Sequence, residues 1–457
     1  IFHQKNKRLK MSKTFSIGGI HPRDNKFSKD KPIENFPIPK RVFISMNQHL
    51  GMPAVPVVKK GDSVKVGQLI AEPAGFVSAP VHASVSGIVA DVAPYPDFIG
   101  KKVLTVVIDT EGDQWLEGID RSPQIRSEIT DTPQEIFKKI SALGIVGLGG
   151  AAFPTHVKLT PLEGMKPEYL ILNGAECEPY LTSDYRLILE HGQEVLTGGE
   201  MMRRVLGNDV MGIIGIENNK PKAIAVMKKL TSGFLQWKVV PLKKRYPQGG
   251  EKQLIDAVLG RKVPSFALPV STGAIVQNVG TAFAVYEAVQ KNKPLISNVL
   301  TVTCSDLSIQ KNYRFRNGTP IREILTAAGA MEKDGTLSAP FAKVVNGGPM
   351  MGKSVANLDG PVMKSTSGLV LFTEEETKRK EPGECIRCSK CFQACPMRLQ
   401  PYLLYQLALA GNTEELEANR VFDCIECGCC LYSCPAYLPL LDQIRLAKNV
   451  SLKNKRK

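Results

Sequence analysis

Residues 424–435 read CIECGCCLYSCP, five cysteines in twelve positions, and residues 385–396 read CIRCSKCFQACP. Both stretches satisfy Cys-x2-Cys-x2-Cys-x3-Cys-Pro. The first copy supplies Cys385, Cys388, Cys391 and Cys395, the second Cys424, Cys427, Cys430 and Cys434. Cys429 falls out of register and reads as a small filler. Three cysteines, each two residues from the next, let one tight loop wrap three corners of a cubic iron–sulfur cluster. The fourth, displaced by one residue and followed by a proline expected to start a helix, points away; in proteins with two such clusters that fourth thiolate ligates the other one. The expected ligand sets are crossed: Cys385, Cys388 and Cys391 with Cys434, and Cys424, Cys427 and Cys430 with Cys395. Between the copies, RLQPYLLYQLALAGNTEELEANRVFD predicts two helices broken at Gly411-Asn412.

Three plainer readings compete. Disulfides need an oxidising compartment, and no export signal is apparent. Structural zinc takes paired hooks or Cys/His mixtures rather than this run. A free-thiol core has no reason to repeat to the residue. The doubled run therefore predicts two [4Fe–4S] clusters. Cys177 and Cys304 lie outside it and read as small buried residues.

With 457 residues, 43% of them apolar and 23% charged, the chain reads as several soluble domains. The most apolar segment, YLLYQLALAG at 402–411, is too short to span a bilayer. The opening IFHQKNKRLKMSKTF is basic without an apolar stretch, so Met11 reads as the natural start and the chain as cytoplasmic. Charge sits at the ends: 11 Lys and Arg against 3 Asp and Glu in residues 1–50, and 13 against 8 in residues 378–457. Such arms stay solvated or dock an acidic partner or an anionic membrane surface. No nucleic-acid motif accompanies them, so no nucleic acid is expected.

From about 134 to 260, helical and strand patterns alternate, which predicts a parallel sheet covered by helices. Ligands of such sheets bind beyond the carboxyl ends of the strands. Gly147, Gly149 and Gly150 allow close backbone approach to an anion, with Lys158 at a reach suited to phosphate. A second loop carries Asn173, Glu176 and Glu178, polar groups suited to a flavin or nicotinamide ring. A nicotinamide exchanges two electrons at once and a cluster one, so a flavin is the natural converter between them.

The stretches GLGGAAFPTHVK, NGAECEPYLTSDYRL, YPQGGEKQLIDAVLGRKVP and STGAIVQNVGTAFAVYEAV, in that order before the doubled cysteine run, resemble the C subunit of the Rnf electron-transport complex. That family is similar in its middle portion to the flavin-bearing, NADH-oxidising subunit of respiratory complex I. The resemblance implies noncovalent FMN held by Gly147, Gly149, Gly150, Ala151 and Lys158, with Asn173, Glu176, Tyr246 and Asn278 as further flavin contacts. It implies that Phe153 stacks on the NADH adenine and that Glu178 approaches the nicotinamide. Leu148, Ala175 and Gly250 depart from the complex I pattern, which has Arg, Asp and Glu there. The implied partners are the membrane subunits of the complex, a ferredoxin-like subunit among them, and NADH. The implied place is the inner face of a bacterial cell membrane. Two other readings share the modules: a soluble cobalamin reductase, and a cluster-bearing scaffold without flavin.

The expected architecture is multidomain α/β. Residues 1–39 form a basic arm. Residues 40–115, including VKKGDSVKVGQLIAEPAGFVSAPVHASVSGIVADV, are similar to a lipoyl-like barrel sandwich, without the carrier lysine in GFVSAPVHA. His82 reads as a surface or turn histidine. Residues 125–295 form a Rossmann-like FMN/NADH domain, residues 296–365 a β-grasp module of the SLBB kind, residues 366–445 a helical two-cluster domain, and residues 446–457 a basic tail.

Overall fold

The computed structural model describes residues 12–161 and 163–454. The expected start at Met11 and the last three residues of the tail lie outside the described residues.

Four parallel strands form the central sheet. Tyr169–Gly174 pairs with Met211–Glu217, which pairs with Trp237–Leu242; on its other edge Tyr169–Gly174 pairs with Ala274–Asn278. Leu170, Ile171 and Leu172 are apolar at successive positions because both faces are covered. Leu170 and Leu172 join a core with the helices Pro133–Ala142, Ser183–Leu206 and Val279–Lys291, while Ile171 packs on the other face with Leu254, Ile255 and Val258 of helix Glu251–Leu259. Helix Pro133–Ala142 starts where the sequence says it must: Thr132 and Glu135 close a capping box and Pro133 takes the first position. Chain order around Tyr169–Gly174 reverses, so the carboxyl ends of Tyr169–Gly174 and Ala274–Asn278 flank a topological switch point.

Ahead of this domain, Arg41–Ser45, Lys102–Thr110, Gly87–Pro96 and Ser63–Val64 form one small antiparallel sheet. Val55–Pro56, Leu69–Glu72 and Val81–His82 form another. They close on a core of aliphatic residues that includes Val42, Ile44, Ile70 and Ile108. His82 is no surface residue. It is buried in its strand, and desolvation, helped by the Lys364 charge, pulls its pKa down to about 3. Lys364 itself runs into the seam between modules, donating to the carbonyls of Pro80 and Gly144; burial pulls its pKa down to about 7.

After the central domain comes a six-stranded mixed sheet with helix Ile321–Ala327 against it. Two of its strands were expected elsewhere. Gly368–Thr373 lies between Ser297–Cys304 and Phe341–Asn346, not in the cluster module. Ile33–Asn35, from the expected arm, pairs with Gln310–Arg316 at the edge. The described part of the arm, residues 12–39, is packed rather than solvated: Phe15, Ile20, Ser28 and Phe36 are buried against the modules it crosses.

The cysteine copies are related by a 39-residue internal repeat that extends to the backbone. Left-handed residues Arg387, Ser389 and Arg398 recur as Glu426, Gly428 and Tyr437, and the short helix Lys390–Ala394 recurs as Cys429–Ser433. Alternating left-handed residues turn successive amides toward the concave side of a loop, which suits an anionic cluster. The prolines after the fourth cysteines do not start helices. Pro396 and Pro435 open turns, and helices Pro401–Leu409 and Leu440–Asn454 begin later. The second of these absorbs most of the expected basic tail. Pro401–Leu409 and Thr413–Ala418 are the two helices expected between the copies. Among the described residues no helix is long and apolar enough to cross a membrane.

Candidate functional site: a switch-point crevice beside two thiol rings

The glycine-rich loop and both strand ends meet at the switch point. Gly149 is left-handed, with φ +80°, and a Cβ there would stand 2.9 Å from Asn278 Nδ2. Gly150 faces open space and Ala151 is exposed. Asn278 caps helix Val279–Lys291 by accepting from the Gly280 amide at 2.6 Å, and it donates to Asp184 at 2.7 Å. The start of helix Ser183–Leu206 is capped in turn by Glu176, whose Oε1 accepts from the Asp184 amide at 2.8 Å. Two helix N-termini and a glycine turn therefore converge on one crevice, an arrangement that favours a phosphate-bearing ligand.

Lys158 sits at the floor, 2.8 Å from Glu251 and 3.1 Å from the Val276 carbonyl. The Phe153 carbonyl accepts from the Gly147 amide, closing the glycine loop on itself. Asn173 donates to the Gly249 carbonyl at 2.8 Å, and the Gly249 amide donates to the Cys177 thiol at 3.3 Å. Cys177, expected to be buried, is half-buried by surface, yet desolvation of its thiol, reinforced by Glu217 and Glu178, pushes its pKa up to about 12. Cys304 is buried as expected.

Glu176 and Glu178 face opposite ways from one loop. Burial pushes each pKa up to about 7, against the pull of Lys26 on both. The Glu176 Oε2 is buried without a hydrogen-bond donor and faces only the Lys26 ammonium, 3.8 Å away, an ion pair too long for a hydrogen bond. Glu178 instead accepts from the amides of Met350 and Met351, with the Tyr246 hydroxyl oxygen 3.5 Å away. Gly348 permits this, since a Cβ there would stand 2.3 Å from Glu178 Oε2. Tyr246 thus lies on the far side of the Asn173 loop, toward the cysteines.

Several residues here carried no signal in the sequence. Lys26 donates to the carbonyls of Glu176, Glu178 and Leu181, and Lys220 to those of Ala175 and Glu176. These ammonium groups hold the acidic loop from beneath. Asp184 was the one readable omission, an acidic residue in the first turn of a strongly patterned helix. The three departures from the complex I pattern have local explanations. Leu148 is a core residue, Ala175 is fully buried, and a Cβ at Gly250 would stand 2.5 Å from the Gln253 amide oxygen, so that side chain would have to shift.

One group of thiols lines a cavity. Cys395 comes across to Cys424, Cys427 and Cys430 there, and the out-of-register Cys429 joins them, with Leu404 and Ile444. Cys434 and Cys391 share a second apolar cluster with Cys430, while Cys385 and Cys388 are exposed. Among the described residues no three His, Cys, Asp or Glu side chains converge at single-ion distance. Thiols around a cavity rather than around a point suit a cube held at its corners better than one zinc ion. The Leu399 amide donates to the Cys395 sulfur at 3.4 Å, the kind of hydrogen bond that tunes cluster potential. Cys429 is fully buried where the second copy meets Tyr246, its thiol 3.9 Å from the Tyr246 carbonyl oxygen.

Comparison with known proteins agrees module by module. Residues 140–287 match the Nuo51 FMN-binding domain, residues 13–113 the RnfC barrel sandwich hybrid domain, and residues 377–435 a 4Fe-4S dicluster domain. The fold and sites thus define a flavin and iron–sulfur redox protein of several domains. The C subunit of the proton-translocating ferredoxin:NAD(+) oxidoreductase complex of Clostridium ljungdahlii is 45% identical over 86% of this chain and 84% of its own. Its counterpart in the Na(+)-translocating complex of Acetobacterium woodii is 42% identical over 96% of this chain and 98% of its own. The corresponding component of the ion-translocating oxidoreductase complex of Rhodobacter capsulatus is 40% identical over 95% and 83%. A NAD+-reducing [NiFe]-hydrogenase structure overlaps 70% of this chain and 62% of its own at 18% identity, with a TM-score of 0.49. The chain belongs to the RnfC family, the C subunits of ion-translocating ferredoxin:NAD+ oxidoreductase complexes.

Proposed function

We propose that this chain is the nucleotide-side electron-transfer subunit of a membrane-bound Rnf-type complex, linking NAD(H), FMN and two [4Fe–4S] clusters, with ferredoxin and ion movement reached through partner subunits. One observation carries this reading: Tyr246 touches both sides of the route. Its hydroxyl donates to the carbonyl of Cys427 at 2.9 Å and lies 3.5 Å from Glu178.

FMN, when bound, takes the two electrons of a hydride together and gives them up singly. The protein supplies its setting. Gly147, Gly149, Gly150 and Ala151 leave room for the phosphate end at the helix N-termini, and Lys158 supplies a cation below them. Asn173, Glu176 and Asn278 would border the ring, with Tyr246 behind them on the cysteine side of the same loop. Glu176, its second oxygen paired only loosely with Lys26, holds or releases a proton near neutral pH. Phe153 offers an aromatic surface to the nucleotide, and Glu178 is held rigidly where a nicotinamide approaches. The crossed thiol sets hold the clusters, the Cys395 set facing the flavin domain and the Cys434 set, with exposed Cys385 and Cys388, facing outward.

The finer assignments belong to the same reading: an SLBB-like role for the six-stranded sheet, the domain limits, and a peripheral place on the cytoplasmic face of the membrane. Chemical analysis of anaerobically purified protein tests it. The expected content is about one FMN with about eight iron and eight sulfide per chain. Zinc in place of iron, or iron without flavin, would reject it.

A further inference from the structure

Residues 13–26 are threaded between the flavin domain and the cluster module. Lys13 pairs with strand Trp237–Leu242 at Pro241 and Lys243. Ser16 donates twice to Asp256, by its amide at 2.7 Å and its hydroxyl at 2.8 Å. Arg245 lies 4.3 Å over the Phe15 ring and donates to the carbonyls of Phe15 and Gly18. The Gly19 amide then crosses to the Ala394 carbonyl at 2.8 Å, next to the ligand Cys395. Ile20 and Tyr246 exchange both backbone hydrogen bonds, at 2.8 and 2.9 Å. Further on, Lys26 gathers the three carbonyls of the acidic loop.

Gly18 is the tightest point. Its φ is +68°, and a Cβ there would stand 2.4 Å from the Cys395 carbonyl oxygen and 2.6 Å from the Pro396 nitrogen. These are backbone atoms, which cannot swing aside. Cys395 is the crossed ligand of the cavity nearest Tyr246, so the backbone that Gly18 touches is the one that sets where that cavity lies.

We propose that residues 13–26 act as a strap fixing the separation between the acidic loop of the flavin site and the thiol ring containing Cys395, with Gly18 and Arg245 as positioning residues. The inference rests on the proposed function for its consequence, but the strap itself is a claim about this chain's backbone. Elsewhere among the described residues the two modules touch through few polar contacts: the Tyr246 hydroxyl on Cys427, the Cys429 thiol on the Tyr246 carbonyl, the Gln253 amide on Met397, and Ser265 on Asp423. The strap bonds to the flavin loop, to Tyr246 and to the cysteine backbone at once.

The test is Gly18→Val in the full chain, with Gly61→Val as its control. Gly61 is also left-handed, at φ +95°, but nothing lies within 4 Å of a Cβ there, so it carries the backbone strain without the clash. Arg245→Met is a second variant that loosens the strap without adding bulk. Two readouts are used. Amide hydrogen exchange over residues 246–249 and 394–399 reports the strap without any substrate. The rate at which NAD+ re-oxidises pre-reduced clusters, divided by the rate with ferricyanide, reports its consequence. Gly18→Val and Arg245→Met are expected to keep flavin and iron, to raise exchange in both segments, and to slow the NAD+-driven step by about tenfold or more while the ferricyanide rate holds. Gly61→Val is expected to match the parent. Unchanged exchange in the two strap variants overturns the proposal. Raised exchange with an unchanged rate ratio overturns the positioning role. If the parent chain shows no NAD+-driven re-oxidation, the proposed function falls, and the exchange result still decides the strap.

Discussion

The hydroxyl of Tyr246 donates to the carbonyl of Cys427 over 2.9 Å, joining a buried residue of the flavin domain to the middle cysteine of the second run. Glu178 lies on the same hydroxyl's other side. Removing the hydroxyl leaves a buried carbonyl without its partner, at a cost of about 1–2 kcal/mol. Tyr246→Phe is therefore expected to lower the unfolding midpoint in denaturant while keeping the iron content. A midpoint equal to that of the parent would show that water satisfies the Cys427 carbonyl equally well.

The flavin and cluster sites use different residues, so they should be separable. Lys158→Ala and Glu176→Gln are each expected to weaken FMN retention by about tenfold or more, judged from the strength of hydrogen bonds to charged groups. Iron and sulfide should not change. Flavin content after extensive dialysis, with iron assayed on the same sample, checks this; full flavin retention in both variants removes these residues from the site.

The crossed ligand sets make opposite forecasts for two similar substitutions. Cys395→Ala should damage the cluster held by Cys424, Cys427 and Cys430, and Cys434→Ala the one held by Cys385, Cys388 and Cys391. Electron paramagnetic resonance of the reduced proteins distinguishes the two, because the inner ring is enclosed and the outer one has two exposed cysteines. Loss of the outer signal in Cys395→Ala would mean that each run keeps its own fourth ligand.

His82 predicts a pH dependence whose sign is fixed. Its folded pKa, about 3, lies below the ordinary 6.5, so the unfolded chain binds the proton first as pH falls. The stability it contributes is complete above pH 6.5 and declines as pH drops toward 3. At pH 5 the decline amounts to about 2 kcal/mol. His82→Gln, which does not titrate, should therefore gain on the parent by about that much between about pH 7.5 and pH 5, whatever its offset at the upper end. A constant difference across the range would contradict the burial of a neutral imidazole.

What the sequence disclosed divides along one physical line. The cysteine runs were legible because ligation geometry is local: three thiolates on one loop must be spaced as Cys424, Cys427 and Cys430 are. The strand Tyr169–Gly174 was legible because a strand covered on both faces is apolar through its middle, as Leu170, Ile171 and Leu172 are. Long-range contacts left no such trace. Nothing in SIGGIH shows that Gly18 will lie against Cys395, nearly four hundred positions away, or that Lys26 will hold the loop at Glu176. Ile33–Asn35 looks like a polar arm until Asn312 and Tyr313 give it a partner strand. His82 has an unremarkable neighbourhood in sequence, and its burial depends on a module boundary formed with Lys364. The prolines after the cysteine runs misled for a different reason, since a residue that can open a helix can open a turn equally well.

The central claim is that electrons pass between nicotinamide and clusters within this one chain. The most direct measurement is to reduce the purified, cofactor-replete protein anaerobically, remove the excess reductant, add NAD+, and follow cluster absorbance and NADH together. The account predicts that NADH appears as both clusters re-oxidise, with two electrons lost for each NADH formed. Clusters that stay reduced after the flavin alone has been re-oxidised would contradict it.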